Sequence, residues 1–458
     1  MKLLVNHLGP IKNNTTYIDL SKQFYVFVGA NNSGKTYLSQ FLWGMYFYCH
    51  EVGFRAFIEK QDTSFVEILE DSRIVINDVF LQKIANIYTD YLREKLGNLY
   101  NAYNGNSFLP AEIVLKIGDE DILPLAFTNR FTELKGRVVL IFAKKEAEKH
   151  FIVQNKLGIS LERIQKTILL TVIRKLFQRQ TNKFLPANRQ FYPIFYQYIF
   201  QLERKNDFDE ELLSTETKKQ KIEKPYTKPV EILLEDLFSL SLKEANKDLH
   251  LTYIEELAAI MGGNIATNRV EGIGMANFRF EINEQKNVPL FLASSSVNQL
   301  TLLYLYFKYW AEKDKNVLFI DEPEENLHPQ NQIKLLELLL KFSGEKNKVF
   351  INTHSPLLAE ALNNYMYLHS LKQELGMSDA EIADIMQENG LKFINTEVAI
   401  PKEKVGVYFF DGERIIDYET DSYGVFFRDF KEVTNSISKA NRVLTDYLYL
   451  SQQATENA

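Results

Sequence analysis

The eight residues Gly29 to Thr36, GANNSGKT, restrict what this chain can fold into more than any other stretch. They match the pattern GxxxxGK[ST]. Its glycines let successive backbone N–H groups turn inward around phosphate oxygens, its lysine reaches the outer phosphates, and its hydroxyl can ligate Mg2+. Such a loop works only between a buried strand and the start of a helix, and the flanks supply both. Phe24 to Val28 (FYVFV) is a continuous apolar run suited to a buried parallel strand. Thr36 to Cys49 is apolar nearly all round, through Leu38, Phe41, Leu42, Trp43, Met45 and Phe47, which predicts a helix lying in the core. A chance glycine-rich turn is the competing explanation, and the strand and helix argue against it.

Two later segments repeat the design of an apolar strand that ends in polar residues. In VLFIDEPEENLHP, four apolar residues deliver Asp321 and Glu322 to a strand end. Beside a phosphate loop, Asp321 can hold the Mg2+ shell and Glu322 can orient or polarise an attacking water. Without such a loop the pair would read as a strand running into an acidic, solvated turn. In VFINTHSP the strand Val349 to Asn352 leads to His354, which can donate a hydrogen bond to a phosphate or to the attacking water. Pro329 suits a first helical position, so His328 before it reads as structural. A helix from Gln330 to Phe342 separates the two strands, and this alternation predicts an α/β sheet with a parallel core.

The rest of the chain surrounds that core. Residues of about 55 to 180 mix helical stretches (Ile76 to Leu99, Leu161 to Arg179) with strand-like pieces (Glu112 to Lys116, Arg137 to Phe142) and read as a lobe inserted after the first strand and helix. Glu203 to Pro229 is rich in charge, and its Lys218, Lys219, Lys221 and Lys224 read as a solvated run. A second core region begins near Val230 with helical sequence, followed by strand-like Asn277 to Ile282. Ser378 and Glu381 form a candidate capping box, VGVYFF-DG-ERIIDY a hairpin turning at Asp411 and Gly412, and the tail a final helix to about Leu450.

The chain has 458 residues, 45% hydrophobic and 25% charged, with a formal net charge of −7. That is the balance of a globular protein, without a bulk attraction to nucleic acid. The one cysteine, Cys49, excludes an internal disulfide and a cysteine-based zinc site. No stretch approaches the ~20 apolar residues that span a bilayer, and the N-terminus lacks the pattern of a signal peptide. These features predict a soluble, cytoplasmic protein with no membrane partner.

GANNSGKT, IDEPEENLHP and NTHSP together resemble the phosphate loop, Walker B segment and switch histidine of the ATP-binding-cassette ATPases. The closer match is to the branch of RecF, SMC and OLD-family proteins, in its usual chain order. The opening NHLGPIKNNTTYIDL is similar to the strand pair that precedes the phosphate loop there. The resemblance implies an α/β fold: an ABC-type P-loop ATPase head with a mixed or parallel sheet, built from residues 1–50 and 285–365. An inserted, largely helical lobe at 51–284 and a C-terminal extension at 366–458 complete the chain. It implies an ATP-binding and ATP-hydrolysing switch that uses Mg2+. Gly29, Ala30, Asn31, Asn32, Ser33, Gly34, Lys35 and Thr36 would hold the nucleotide, Thr36 and Asp321 the metal, and Glu322 and His354 would serve catalysis.

In those families a signature motif from a second subunit closes the site, which implies a nucleotide-bridged dimer or higher homo-oligomer. The corresponding position reads Leu292-Ala-Ser-Ser-Ser-Val-Asn-Gln299 and lacks the glycines of LSGGQ. Ser294, Ser295 and Ser296 therefore read equally as a signature and as a helix cap. FLPANRQ, Phe184 to Gln190, resembles the LPA-x-R strand end of small bacterial ATPases of this branch, returning to the core. Arg189 there can pair with phosphate or an acidic neighbour, and Gln190 can contact Mg2+. These segments resemble ATPases of bacterial anti-phage systems such as PARIS, Septu and Gabija. The likeness implies a regulatory ATPase that controls a separate effector such as a nuclease, with DNA or a phage protein as trigger. The tail shows no TOPRIM strand pairing and the seven histidines are scattered, so a nuclease within this chain is not expected. A RecF-like DNA-repair ATPase that clamps DNA and a non-hydrolysing nucleotide-gated scaffold are the alternatives. A transporter subunit fits poorly, because it would keep LSGGQ and lack the large insertion.

Overall fold

The runs FYVFV, VFIN and VLFI lie side by side in one sheet, although more than 280 residues separate the first from the other two in the chain. The computed structural model describes the chain outside residues 68–72, 76, 103–109, 119–120, 122–130, 134–137, 142–149, 155–159, 214–224, 241–242, 246–248, 270–274, 284–285, 345, 392–393, 419, 422–423, 426, 428–437, 441 and 444–458. Strand β1 (Phe24–Gly29) leads through the glycine loop into helix α1 (Lys35–Tyr48). Strand β2 (Thr181–Leu185) is followed by a 3-10 turn (Arg189–Phe191) and α2 (Tyr192–Leu213). Helix α3 (Ser295–Leu305) continues through a π turn towards β3 (Asn316–Asp321). Then come α4 (Pro329–Gly344), β4 (Lys348–Thr353), α5 (Pro356–Glu374) and a hairpin of β5 (Val405–Phe410) and β6 (Ile415–Asp417).

The sheet order is β6-β5-β1-β4-β3-β2. Strands β1 to β5 run parallel, and only the edge strand β6 is antiparallel. A parallel sheet needs both faces covered, and alternate residues of each strand serve two separate cores. Tyr25, Phe27, Phe184, Phe319 and Phe350 face one core, with α1 and the inserted helices Asp78–Leu99 and Leu161–Leu176. Phe24, Val26, Val28, Leu318, Ile320 and Ile351 face the other, with α3, α4 and α5. On the first face a row of rings crosses four strands in register. Tyr25 stacks on Phe350 at 4.1 Å, Phe350 on Phe319 at 4.4 Å, and Phe319 meets Phe184 at 6.5 Å. Such pairs each add about 1 kcal/mol beyond burial and fix which residues stand opposite one another.

The hairpin read from the tail belongs to this core sheet. Its β5 pairs with β1 along six residues, from Val405 opposite Phe24 to Phe410 opposite Gly29. The inserted region carries helices and also two antiparallel sheets of its own, one of four strands between Arg73 and Gln154 and one of three between Asn264 and Pro289. Its strand Glu112–Lys116 pairs with Lys2–Asn6. Ser378 and Glu381 form the reciprocal capping box, and Pro329 opens α4. Of the helix expected to reach Leu450, residues 438–440 and 442–443 are described and helical, and the rest of it lies outside the described residues, as do the lysines Lys218, Lys219, Lys221 and Lys224. Among the described residues no helix is long and apolar enough to cross a membrane.

Candidate active site

Three adjacent parallel strands, β1, β4 and β3, end in Gly29, Thr353 and Asp321. Their carboxyl ends bring the glycine loop, Asp321, Glu322 and His354 to one edge, where open α/β sheets bind ligands. A cleft of about 290 Å³ opens there, lined by residues 31–37, Asp321, Glu322 and His354.

The loop glycines are dictated by space as well as by backbone. At Gly29, φ is +144° and an added Cβ would lie 2.3 Å from the Phe410 carbonyl of β5. At Gly34, φ is +102° and a Cβ would meet Ile11 at 2.8 Å. Gly34 is also the N-cap of α1 and offers no side chain to cap it, while the first turn of the helix lines the cleft. A helix start of this kind favours an anion. Lys35 is 5% exposed, and its ammonium donates to the carbonyls of Gly29 at 3.0 Å and Ala30 at 2.8 Å. Burial lowers it to about 8, against the pull of Asp321, Glu322 and Glu324.

A polar chain runs behind the cleft. Ser39 Oγ donates to Asn352 Oδ1 at 2.7 Å, Asn352 Nδ2 to Asp321 Oδ1 at 2.8 Å, and Thr36 Oγ1 to Asp321 Oδ2 at 2.8 Å. Hydroxyl and carboxylate thus stand together as hard oxygen donors, the set that suits Mg2+. Glu322 follows in a left-handed conformation, φ +47°, which costs a non-glycine residue on the order of 1 kcal/mol or more. Its N–H donates to the Asn352 carbonyl at 2.9 Å. Its carboxyl is shifted upward, by burial first and then by Asp321, Glu324 and Glu325. His354 Nε2 lies 3.6 Å from Glu322 Oε1, too far for a hydrogen bond. Burial first and then the Lys35 charge lower the imidazole, against Asp321 and a hydrogen bond with the Gly29 backbone.

Glu324 was not singled out from the sequence, yet its Oε1 holds the turn after β4. It accepts from Thr353 Oγ1 at 2.6 Å, His354 N at 3.0 Å and Ser355 N at 3.1 Å, and Ser355 in turn caps α5. Its Oε2 is buried without a protein partner, an acceptor suited to a water. Asn352 and Ser39 were likewise missed. The only sequence trace of this network is that VFIN ends on an amide.

The remaining candidates lie apart from the cleft. Gln190 sits on the 3-10 turn and is not among the lining residues. Arg189 is 1% exposed, is not among the residues that line the cleft and donates to backbone carbonyls only, although the charges of Glu325, Asp321, Glu324 and Glu322 act on it. Ser294 and Ser295 are exposed at the start of α3, with Ser296 half-buried beside them. Ser294 Oγ accepts from Val297 N at 3.3 Å and meets Ser296 Oγ at 2.9 Å, so this helix start is capped by its own side chain.

A family model for the AAA ATPase domain matches residues 1–359 of the chain. A search of curated proteins finds no match. Among similar solved structures is an SMC head bound to the C-winged helix domain of ScpA, at 11% identity and TM-score 0.37, covering 91% of this chain and 96% of that one. The Smc head with an extended coiled coil from Pyrococcus furiosus, bound to the C-terminal domain of ScpA, matches at 13% and 0.35, covering 97% and 98%. The SMC head from Thermotoga maritima matches at 12% and 0.28, covering 91% and 98%.

Proposed function

Because this chain belongs to the AAA ATPase domain family, we propose that its cleft binds and hydrolyses ATP, and that the resulting change of state controls a partner. The observation that carries this is the gathering of Lys35, Thr36, Asp321, Glu322 and His354 around one cleft by three neighbouring strand ends.

The first turn of α1 and Lys35 bind the phosphates, with Gly29 and Gly34 allowing the backbone to close around them. Thr36 and Asp321 would hold Mg2+, which when bound neutralises charge on the phosphate oxygens. Glu322 orients the attacking water and accepts its proton as the water oxygen bonds to the γ-phosphorus and the bond to ADP breaks. A carboxyl shifted upward from its ordinary value by burial and by its acidic neighbours is the better base for that step. His354 stands beside it with its ring hydrogen-bonded to the Gly29 backbone, and the ring would exchange that bond for one to phosphate or water when they enter the cleft. Glu324 keeps His354 in place by holding its backbone.

On the motif resemblance of FLPANRQ and SSSVNQL, the partner is a separate effector, such as a nuclease, in a bacterial anti-phage system. Ser294, Ser295 and Ser296 would then meet the nucleotide of a second copy. ATP turnover by the purified chain tests the core of this reading. Glu322→Gln should keep ATP affinity and lower kcat by about 100-fold or more, because it removes the water-positioning group without touching the phosphate loop. Equal loss of affinity in that variant, or full turnover, would overturn the role of Glu322. The purified chain should cut no DNA, and cleavage abolished by mutating its own residues would refute a separate effector.

A further inference from the structure

The buried guanidinium of Arg189 has every N–H donor met, and by backbone, away from the phosphate loop. Its five N–H donors meet five backbone carbonyls. Nε donates to Gln299 of α3 at 3.0 Å. One terminal nitrogen donates to Pro186 at 3.3 Å and Asp321 at 2.7 Å, the other to Glu322 and Pro323 at 3.2 Å each. Among the described residues it makes no direct ion pair; the carboxylates of Glu325, Asp321, Glu324 and Glu322 favour its charge through space, while its N–H groups are spent on backbone. Three of the carbonyls are consecutive, 321 to 323, and they bracket the one residue of the acidic pair that holds a left-handed backbone. Such a conformation persists only where the surroundings over-determine it. Here Asn352 takes the Glu322 N–H, and Arg189 and the Glu325 N–H share its carbonyl.

We propose that Arg189 is the positioning residue for Glu322: its planar fork grips three successive carbonyls, fixes the left-handed turn that presents the Glu322 carboxylate to the cleft beside His354, and ties that turn to α3 through Gln299. The inference rests on the hydrolytic reading of Glu322 given above. Geometry also says why the residue is arginine. A lysine offers its donors from one point and cannot span carbonyls on both sides of a turn, whereas the guanidinium spreads five donors in a plane. Gln299 completes the brace: its side-chain amide donates to the Ala187 carbonyl at 3.0 Å and to Glu325 Oε2 at 2.9 Å, joining the same segments a second time.

The test is Arg189→Lys, alone and combined with Glu322→Gln, read by steady-state ATP turnover and by amide exchange. Arg189→Lys should lower kcat by about 30-fold with KM within about threefold, the pattern of a lost transition-state interaction. In the Glu322→Gln background the same change should alter residual turnover by less than about twofold, since the group being positioned is already disabled. Unchanged kcat in Arg189→Lys, or a loss that multiplies fully in the double variant, overturns the proposal. Peptides covering 321–325 should exchange faster in Arg189→Lys while those of β4 and the phosphate loop stay as they are; a uniform rise across the chain would mean a general structural role and also overturns it. If Arg189→Lys does not fold, the native protein decides: the Glu322 and Glu325 amides should exchange as slowly as those of β3, and loop-like exchange there refutes the brace. Should Glu322→Gln retain full turnover, the hydrolytic reading fails on its own, and the exchange data still report whether Arg189 holds the turn.

Discussion

Helices α1 and α3 both open on runs of small residues, GANNSGK and LASSSV, but their first turns are finished differently. At α1 the N-cap is a glycine without a side chain, and the turn lines the cleft. At α3, Ser294 folds back to accept the Val297 N–H, and Ser296 joins it. A helix leaves its first N–H groups unmet, and they are met by a side chain or by a ligand. Helix α1 leaves its first turn open to the cleft, whereas α3 supplies its own acceptor. A ligand that uses the Val297 N–H of α3 must therefore compete with Ser294.

The largest effect expected of the variants that sharpen this comparison is that of Asp321→Ala. It removes the carboxylate that joins Thr36 to Asn352, and turnover should fall by roughly 1000-fold, the several kcal/mol a metal contact supplies. Ordinary excess Mg2+ should not restore it, and turnover near the native rate would take Asp321 out of the site. Glu324→Ala comes next. Losing three hydrogen bonds at Thr353, His354 and Ser355 should cost about 10- to 100-fold in kcat, with ATP affinity kept. Glu324→Gln, whose amide oxygen can still accept, should recover part of it, and equal loss in both variants would argue against the clamp. Smaller again is Ser294→Ala, which should lower stability by about 1 kcal/mol in a denaturation series. No change there would mean that α3 does not depend on its cap. The smallest effect is on single-site affinity in Ser295→Arg, which should stay within about twofold, while association of Glu322→Gln under Mg-ATP is blocked by the added bulk. Light scattering reads this directly, and association indifferent to both nucleotide and Ser295→Arg would leave the serines as a cap alone.

The parts of the molecule that were legible in sequence are those whose signal is local. FYVFV, VLFI and VFIN are short apolar runs whose end residues announce themselves, and GANNSGKT specifies its own turn. What stayed hidden depends on register between distant strands. Asn352 reaches Asp321 only because β3 and β4 pair with those two residues opposite each other. Glu324 sits within an acidic run that reads as solvated until β4 ends beside it. Arg189 looked like a residue for phosphate because its strand end resembles others of that kind. Four of its five acceptors belong to segments 110 or more residues away. The hairpin VGVYFF was recognisable as a hairpin, but five of its six residues are buried because it extends the central sheet beside β1, a placement no local pattern reveals.

The account stands most directly on where ATP is held, so the decisive measurement is an equilibrium ATP titration of Lys35→Ala and Ser294→Ala side by side, each verified as folded. Lys35→Ala should weaken binding by at least about 100-fold, the ~3 kcal/mol of charge-assisted contact with phosphate, while Ser294→Ala stays within about twofold. Affinity retained by Lys35→Ala, or lost by Ser294→Ala, would contradict the assignment of the phosphates to the open end of α1.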